Sequence, residues 1–368
     1  MDTLLCLARR IQSKAAMSDN RFMEQQQIKI AYPTERLAGR RMVLFSSLDD
    51  WKTPLAPCSA DDGTFVFQPD TTEPYFHFKP ALMEDSGQAI WSVGSDYIAP
   101  LPEDRLIFPS FESAPHGTIL DRDELASKDG EAYGFRVYLP PGYEENTQKR
   151  YPVCFMHDGH NLFFPEEAFA GQTWQVQRTL ELLDKMNSIE ACIVVALYPN
   201  DRFKDYTEPG CARYAEFIVE TLLPHLEERY RTLSGPEHRL VMGSSLGGLV
   251  SFYLAWHHSD VFGRAACLSS TFGYDNKLIQ EVQSAESCPS IKVYLDSGWP
   301  GDNFAETQAM THIMLSKGFE LGRDLQYLAV PEAQHNEDAW AQRLHLPFQF
   351  LLGLSYGQDS VIDLPQAA

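Results

Sequence analysis

The stretch Leu240-Val241-Met242-Gly243-Ser244-Ser245-Leu246-Gly247-Gly248-Leu249-Val250 limits what this chain can fold into more than any other. Leu240 to Met242 is a short apolar run of the kind that fills a buried parallel strand. From Leu246 onward Leu249, Val250, Tyr253 and Leu254 recur at helical spacing. The pattern predicts strand, sharp turn and helix, with Ser245 at the apex of Gly243-x-Ser245-x-Gly247. A side chain at 243 or 247 would collide with the neighbouring strand or helix. The strained turn pushes the serine hydroxyl out of the sheet, and the N–H of Leu246, at the helix N-terminus, is left to bind an oxyanion. Three fixed residues recur by chance in roughly one in ten chains of this length. The strand before and the helix after favour a nucleophile over the other reading, a glycine-rich turn at a helix start.

A serine hydroxyl needs a base to take its proton. In a strand–turn–helix arrangement of this kind the acid and the histidine follow the serine in that order, each at the C-terminal end of a later strand. Downstream, the apolar strand Ile291–Asp296 runs into Ser297-Gly298-Trp299-Pro300-Gly301-Asp302, and the strand Leu325–Val330 runs into Pro331-Glu332-Ala333-Gln334-His335. The other histidines past Ile291, His312 and His345, fall inside predicted helices, which leaves His335 as the candidate base. Two carboxylates compete for the acid. Asp302 lies in a loop that can reach over the sheet edge to an imidazole. Asp296 ends its strand, where it is better placed to cap backbone groups. Asp302 is preferred and Asp296 stays open.

A second oxyanion donor is expected in the loop after an early strand, here Met156-His157-Asp158-Gly159-His160-Asn161-Leu162-Phe163. A glycine lets backbone approach a substrate closely, so the N–H of Gly159 or His160 is the candidate. The rival reading is a metal site from His157, Asp158 and His160. Three ligands packed into one turn rarely converge on one ion, and no further ligand cluster accompanies them. No metal and no cofactor is expected.

From Gly134 onward, strands alternate with helices. Gly134–Leu139, Tyr151–Met156, Ala191–Tyr198, Ala265–Leu268 and the two strands above read as strands. Trp174–Lys185, Tyr214–Arg231 with Pro224 inside it, Phe304–Lys317 and Glu337–Leu352 with Pro347 inside it read as helices. This is an α/β pattern with a mostly parallel sheet. Before it, Arg41–Phe45, Thr64–Phe67, Tyr75–Lys79 and Ala89–Ser92 read as short strands with turns between them. The expected organisation is a tail over 1–22, a small antiparallel β-sandwich (Ig-like or E-set-like) over 23–105, and a linker over 106–118. An α/β domain over 119–356 and a second tail over 357–368 follow. Met17 is a plausible alternative start, and the first tail is read as open to disorder.

The 368 residues carry 30 Lys and Arg against 51 Asp and Glu, a net charge of −21. That balance argues against nucleic acid or an anionic membrane as partner, and there is no apolar run long enough to span a bilayer. The cysteines, Cys6, Cys58, Cys154, Cys192, Cys211, Cys267 and Cys288, are odd in number, scattered, and form no C-x-x-C. They point to a reducing cytoplasm rather than a disulfide framework.

The combination resembles the esterases of the enterochelin-esterase and esterase-D type within the α/β-hydrolases. The matching stretches are His157–Phe163, Gly171-Gln172-Thr173-Trp174, Arg202-Phe203-Lys204-Asp205-Tyr206-Thr207, Gly243–Gly248 and the regions of Asp302 and His335. They span roughly Gly134 to Gly353. Where this family typically has glutamine the chain has His160, a change that leaves a backbone donor intact. The resemblance implies hydrolysis of carboxylic esters with Ser245, Asp302 and His335 as triad, and Leu246, Gly159 and His160 at the oxyanion. It also implies substrate contacts from His157, Asp158, Trp174, Arg202, Tyr206 and Ser244. From composition alone the Arg202–Thr207 loop would read as a polar surface turn.

The N-terminal region looks like the sandwich domains that precede such catalytic domains in siderophore esterases, or those that bind starch-like glycans. Trp51 and Trp91 then read either as sandwich core or as sugar-stacking platforms, the latter giving a glycan contact. The expected partner is a small-molecule ester, either an aryl or siderophore ester or an acyl or feruloyl ester on a carbohydrate. A non-catalytic glycan-binding protein is the rival class. Transfer of the acyl group to an alcohol instead of water stays open, because it depends on water exclusion after acylation. The oligomeric state is not legible.

Overall fold

The structure, a computed structural model, describes residues 27–101, 105–112, 116–274 and 277–354. The two expected tails, Met17 and Cys6 lie outside the described residues. Chain contacts divide the molecule into two compact units. The first holds the described residues up to 112 together with Glu144–Lys149; the second holds those of Ala114–Tyr143 and Arg150–Leu354.

Among the described residues the first unit holds eight short strands: β1 (Ile28–Ala31), β2 (Arg41–Ser46), β3 (Ser59–Asp61), β4 (Thr64–Phe67), β5 (Phe76–Met83), β6 (Ala89–Trp91), β7 (Tyr97–Ala99) and β8 (Leu106–Ile107). One sheet has the order β3-β4-β1-β8. In the other β2, β5 and β6 lie in line and β7 also pairs with β5. Alternation along the strands sends Ile28, Ile30, Phe65 and Phe67 of the first sheet, and Met42, Leu44, Phe76 and Phe78 of the second, into one shared core. All pairings are antiparallel except β1 with β8. That exception falls in the expected linker, where the apolar pair Leu106-Ile107 closes an open strand edge. The segment Glu144–Lys149 joins this unit through Glu145, which accepts from Tyr32 Oη (2.9 Å) and from the N–H groups of Phe111 (2.7 Å) and Glu112 (3.0 Å). Trp51 packs over Val43, Phe45, Ala81 and Met83, and Trp91 is 42% exposed beside it, with ring centroids 6.5 Å apart.

The second unit carries a sheet of nine strands among the described residues: β9 (Thr118–Ile119), β10 (Asp123–Ala126), β11 (Ala132–Leu139), β12 (Val153–Met156), β13 (Ile193–Tyr198), β14 (Arg239–Ser244), β15 (Arg264–Leu268), β16 (Lys292–Trp299) and β17 (Leu325–Pro331). The order is β10-β11-β13-β12-β14-β15-β16-β17, with β9 beside β11. From β13 to β17 every pairing is parallel, while β9, β10 and β11 pair antiparallel at one end. The helices are α1 (Val176–Lys185), α2 (Arg202–Tyr206), α3 (Gly210–Phe217), α4 (Leu223–Arg229), α5 (Leu246–His257), α6 (Leu278–Ser284), α7 (Phe304–Ser316), α8 (Glu337–Arg343) and α9 (His345–Leu352).

Both faces of the sheet are covered, which explains why its strands read as unbroken apolar runs. Phe155, Val195, Val241, Cys267 and Leu295 face a core shared with α3, α4, α5, α6 and α7. Their neighbours Cys154, Val194, Met242, Leu268 and Tyr294 face a second core shared with α1, α8 and α9. Two expected helices are broken. A π-helical turn at Ile218–Leu222 separates α3 from α4, where Pro224 sits in the first turn. Leu344 separates α8 from α9, and Pro347 sits in the first turn of α9, where its missing N–H costs nothing.

Candidate active site

Ser245 stands where β14 ends and α5 begins, with φ 57° and ψ −121°. This is a strained backbone for a residue with a Cβ. Neighbouring segments hold it there: its N–H donates to Leu268 O (2.9 Å), and its carbonyl accepts from Leu249 N (3.1 Å) and Thr271 N (3.3 Å). The flanking glycines are needed for space. A Cβ on Gly243 would stand 2.5 Å from the Gly247 carbonyl carbon, and one on Gly247 would press on Asp158 Oδ2 and His157 Cβ, both at 3.3 Å. Leu246, the first residue of α5, has one of the N–H groups that a helix start leaves without an intrahelical partner.

The loops after β16 and β17 bring Asp302 and His335 together. His335 Nδ1 lies 2.5 Å from Asp302 Oδ1. An ionised carboxylate can only accept, so Nδ1 carries the proton and Nε2 of the neutral ring keeps its lone pair. The Asp302 side chain is 2% exposed and the imidazole 40%. Asp302 Oδ2 accepts from Ser269 Oγ (2.6 Å) and from Gly298 N (2.7 Å). Burial alone would raise the Asp302 carboxyl, but the hydrogen bonds from His335, Ser269 and Gly298 outweigh it and hold the group below its ordinary value.

Asp296 is engaged elsewhere. It is fully buried, takes Arg343 Nε on Oδ2 (3.0 Å) and Arg343 Nη2 on Oδ1 (3.2 Å), and accepts from Tyr294 Oη (3.0 Å). Burial keeps its carboxyl above the ordinary value despite these partners.

After β12, Asp158 adopts the left-handed conformation (φ 56°) and opens a 3₁₀ turn over Gly159–Asn161. Gly159 is required by packing: a Cβ there would lie 2.8 Å from the Tyr198 ring and 3.1 Å from the backbone of Ala196 on β13. Asp158 is gripped by Arg202, with Nε to Oδ1 at 2.7 Å and Nη2 to Oδ2 at 2.8 Å. Asp201 caps α2 by accepting from the N–H groups of Phe203 and Lys204. The expected polar loop is therefore a one-turn helix that aims Arg202 at the turn after β12.

Of the expected substrate contacts, His157, Asp158, Trp174, Tyr206 and Ser244 are each at most 3% exposed. His157 lies against the Ser245 turn at Gly247, with Nδ1 on Tyr214 Oη (3.2 Å), and burial with the nearby Arg202 charge lowers its pKa to about 3. Tyr206 Oη meets the Asp158 N–H (3.1 Å). Trp174 packs on Trp340 in the core (ring centroids 5.8 Å apart). Ser244 is the last residue of β14. Arg202, by contrast, keeps 36% of its side chain exposed.

Residues 127–351, more than half of the chain, match the family model Esterase, described as "Putative esterase". The chain belongs to this family. Its architecture is that of an α/β-hydrolase, and its class of reaction is carboxylic ester hydrolysis. An uncharacterized protein, YbbA, from Bacillus subtilis is 24% identical over 54% of this chain and 80% of its own length. Among solved structures, the ferric enterobactin esterase of Salmonella typhimurium is similar in fold (16% identity, 85% of this chain and 88% of that chain, TM-score 0.53). So is a ferulic acid esterase of the anaerobic fungus Anaeromyces mucronatus (21% identity, 66% of this chain and 92% of that chain, TM-score 0.52).

The esterase also carries a buried network that the sequence did not reveal. Ser269, at the end of β15 with φ 45°, uses its hydroxyl fully: it donates to Asp302 and accepts from Trp340 Nε1 (2.9 Å) and Arg343 Nη2 (2.8 Å). Trp340 packs edge-on against the His335 ring, with centroids 5.0 Å apart. Arg343 Nη2 also lies 3.6 Å from Asp302 Oδ2. The available signal was position: β15 lies between the strands that deliver Ser245 and Asp302.

Proposed function

We propose that this esterase is a serine hydrolase acting on aryl esters through Ser245, His335 and Asp302. The observation that carries the reading is the His335–Asp302 bond, formed at the same end of the parallel sheet as the strained Ser245 turn. His335 Nε2 takes the Ser245 proton as Oγ bonds to the ester carbon. The tetrahedral oxyanion accepts from the N–H of Leu246 and from that of Gly159 or His160, each worth on the order of 3 kcal/mol in such sites. His335 returns the proton to the leaving alkoxide, leaving an acyl-enzyme. Water then attacks with His335 again as base, giving the acid and free Ser245. Asp302 fixes the histidine tautomer throughout. No step requires a cofactor.

The aryl preference rests on Phe203 and Tyr274, which are 61% and 47% exposed with ring centroids 6.2 Å apart. Phe203 follows Arg202, whose partner Asp158 opens the oxyanion turn. Tyr274 N–H bonds Thr271, whose own N–H bonds the Ser245 carbonyl. A pair of rings beside these two segments suits a flat, apolar ester group. A reducing compartment is part of the same proposal, supported by cysteines that are odd in number, scattered and without a C-x-x-C. No helix among the described residues is long and apolar enough to cross a membrane.

The test is a fluorophosphonate probe followed by a panel of aryl esters, p-nitrophenyl esters and acylated sugars. Labelling should map to Ser245 and vanish in Ser245→Ala, and Phe203→Ala should raise KM for aryl esters more than for acylated sugars. An unlabelled wild-type protein would turn the reading to a non-catalytic binder.

A further inference from the structure

The turn that carries Gly159 and His160 and the segment that carries His335 are joined by one hydrogen bond across 176 residues of sequence: Asn161 Nδ2 donates to Glu337 Oε1 at 3.1 Å. The amide orientation is fixed by chemistry, since Asn161 Oδ1 accepts from the Phe169 N–H at 2.9 Å and a backbone N–H can only donate. The Asn161 carbonyl accepts from Trp174 N at 2.8 Å. Asn161 is 6% exposed and closes the 3₁₀ turn that Gly159 begins. On the other side, Glu337 is half-buried, opens α8 two residues after His335, and adds to the field that keeps Arg202 charged. Asn336 caps the same helix by accepting from Ala339 N at 3.0 Å.

We infer that Asn161 and Glu337 are positioning residues which hold the oxyanion turn and the His335 segment in register, so that both can act on one carbonyl. The inference rests on the serine-esterase reading above. Hydrolysis requires the oxyanion donors and the base to meet the same tetrahedral carbon, and a displacement near 1 Å costs on the order of a hundredfold in such sites. The turn after β12 and the loop after β17 belong to strands separated by β14, β15 and β16, so the sheet alone leaves their loops free to drift apart. A buried amide clamped at both ends supplies the missing restraint, and the charge on its acceptor strengthens the bond.

The experiment is steady-state hydrolysis of p-nitrophenyl acetate by Asn161→Ala, Glu337→Ala, the double variant and Glu337→Gln, with melting curves and Ser245→Ala alongside. Each alanine variant should lose roughly tenfold to a hundredfold in kcat with KM changed by less than about threefold. The double variant should be no worse than the weaker single one. Glu337→Gln, which keeps an acceptor oxygen for Asn161, should recover most of the loss. Should Asn161→Ala fail to fold, Glu337→Ala carries the test. A rise in KM alone, additive losses, a glutamine variant as impaired as alanine, or a lowered melting temperature with kcat intact would each overturn the proposal. Retained turnover in Ser245→Ala would overturn the serine reading itself. Unchanged kcat in the alanine variants beside an inactive Ser245→Ala would overturn only the positioning role.

Discussion

Asp302 assigns each of its carboxylate oxygens to a different structural partner: Oδ1 meets His335 Nδ1 at 2.5 Å, and Oδ2 accepts from Ser269 and from the Gly298 N–H. The carboxylate is therefore held from behind, and its remaining freedom is spent on the imidazole. An acid fixed in this way can set a tautomer without itself taking a proton.

If Ser245 and His335 act as one unit, their losses must not add. Ser245→Ala and His335→Ala should each remove nearly all turnover of an aryl ester, and the double variant should be little worse than either. Rates measured on all three proteins decide the matter, and a double variant slower by the product of the two single effects would contradict it.

The two aspartates separate by partner. Asp302→Asn should lower kcat by several orders of magnitude, because an amide donating to Nδ1 favours the wrong imidazole tautomer. Asp296→Asn should act mainly on stability, since its carboxylate meets Arg343 and Tyr294 and no described contact joins it to His335. Arg343 then keeps only the more distant Asp302 carboxylate at 3.6 Å, and breaking such a buried pair costs up to about 3–5 kcal/mol. Kinetics and denaturant unfolding of both variants check the contrast, and the reverse pattern would make Asp296 the acid.

Much of this site was legible from residue order. Gly243-x-Ser245-x-Gly247 between an apolar run and a helical pattern marked the turn, and the two later strands each ended in a loop with one suitable side chain. What could not be read were contacts made across the sheet. Ser269 looks like its neighbour Ser270 in the sequence, yet only its hydroxyl reaches Asp302, Trp340 and Arg343. His157 and Tyr206 sit in stretches that the resemblance tied to substrate, but the close approach of α5 and α2 to the turn after β12 buries them. The parallel pairing of β8 with β1, and the passage of Glu144–Lys149 into the first unit, have no local periodicity to betray them.

The depressed Asp302 carboxyl has a consequence for acid stability. A group whose pKa is lowered on folding contributes stability that is fully present above its unfolded value, about 4 for aspartate. That contribution is lost as pH falls through the lower folded value. Titrating groups that do not touch Asp302 are common to wild type and Asp302→Asn and cancel in the difference between them. The gap in unfolding free energy should be largest near neutral pH and should shrink below pH about 4. A gap independent of pH would show that the carboxyl is not depressed.

Ser269→Ala removes one hydroxyl and leaves three groups short of a partner: Asp302 Oδ2, Trp340 Nε1 and Arg343 Nη2. Asp302 Oδ2 keeps the Gly298 N–H and Arg343 Nη2 keeps Asp296 Oδ1, while Trp340 Nε1 is left unpaired, which costs about 1–3 kcal/mol less whatever water recovers. Stability should fall by a few kcal/mol. Activity should fall with it, because Asp302 loses a donor and its carboxyl becomes easier to protonate. The gap in unfolding free energy between wild type and the variant should therefore narrow as pH falls below about 4, and a gap of constant size would assign Ser269 a packing role alone.

Two glycines, Gly298 near the end of β16 and Gly301 in the loop after it, provide an internal control. A Cβ on Gly298 would collide with the backbone of Ala333, lying 2.9 Å from its carbonyl carbon, and would stand 3.0 Å from Asp302 Cβ. Relief requires the backbones of Gly298 and Ala333 to separate, which displaces the segment carrying His335 relative to Asp302. Gly301 has nothing within 4 Å of an added Cβ and no positive φ. Gly298→Ala should therefore reduce kcat on the order of a hundredfold and cost about 1–3 kcal/mol of stability. Gly301→Ala should leave both within experimental error, or stabilise slightly by restricting the unfolded chain. Equal effects from the two substitutions would mean that the loop tolerates or resists a side chain as a whole, and that the Asp302–His335 distance is not set by the contact between Gly298 and Ala333.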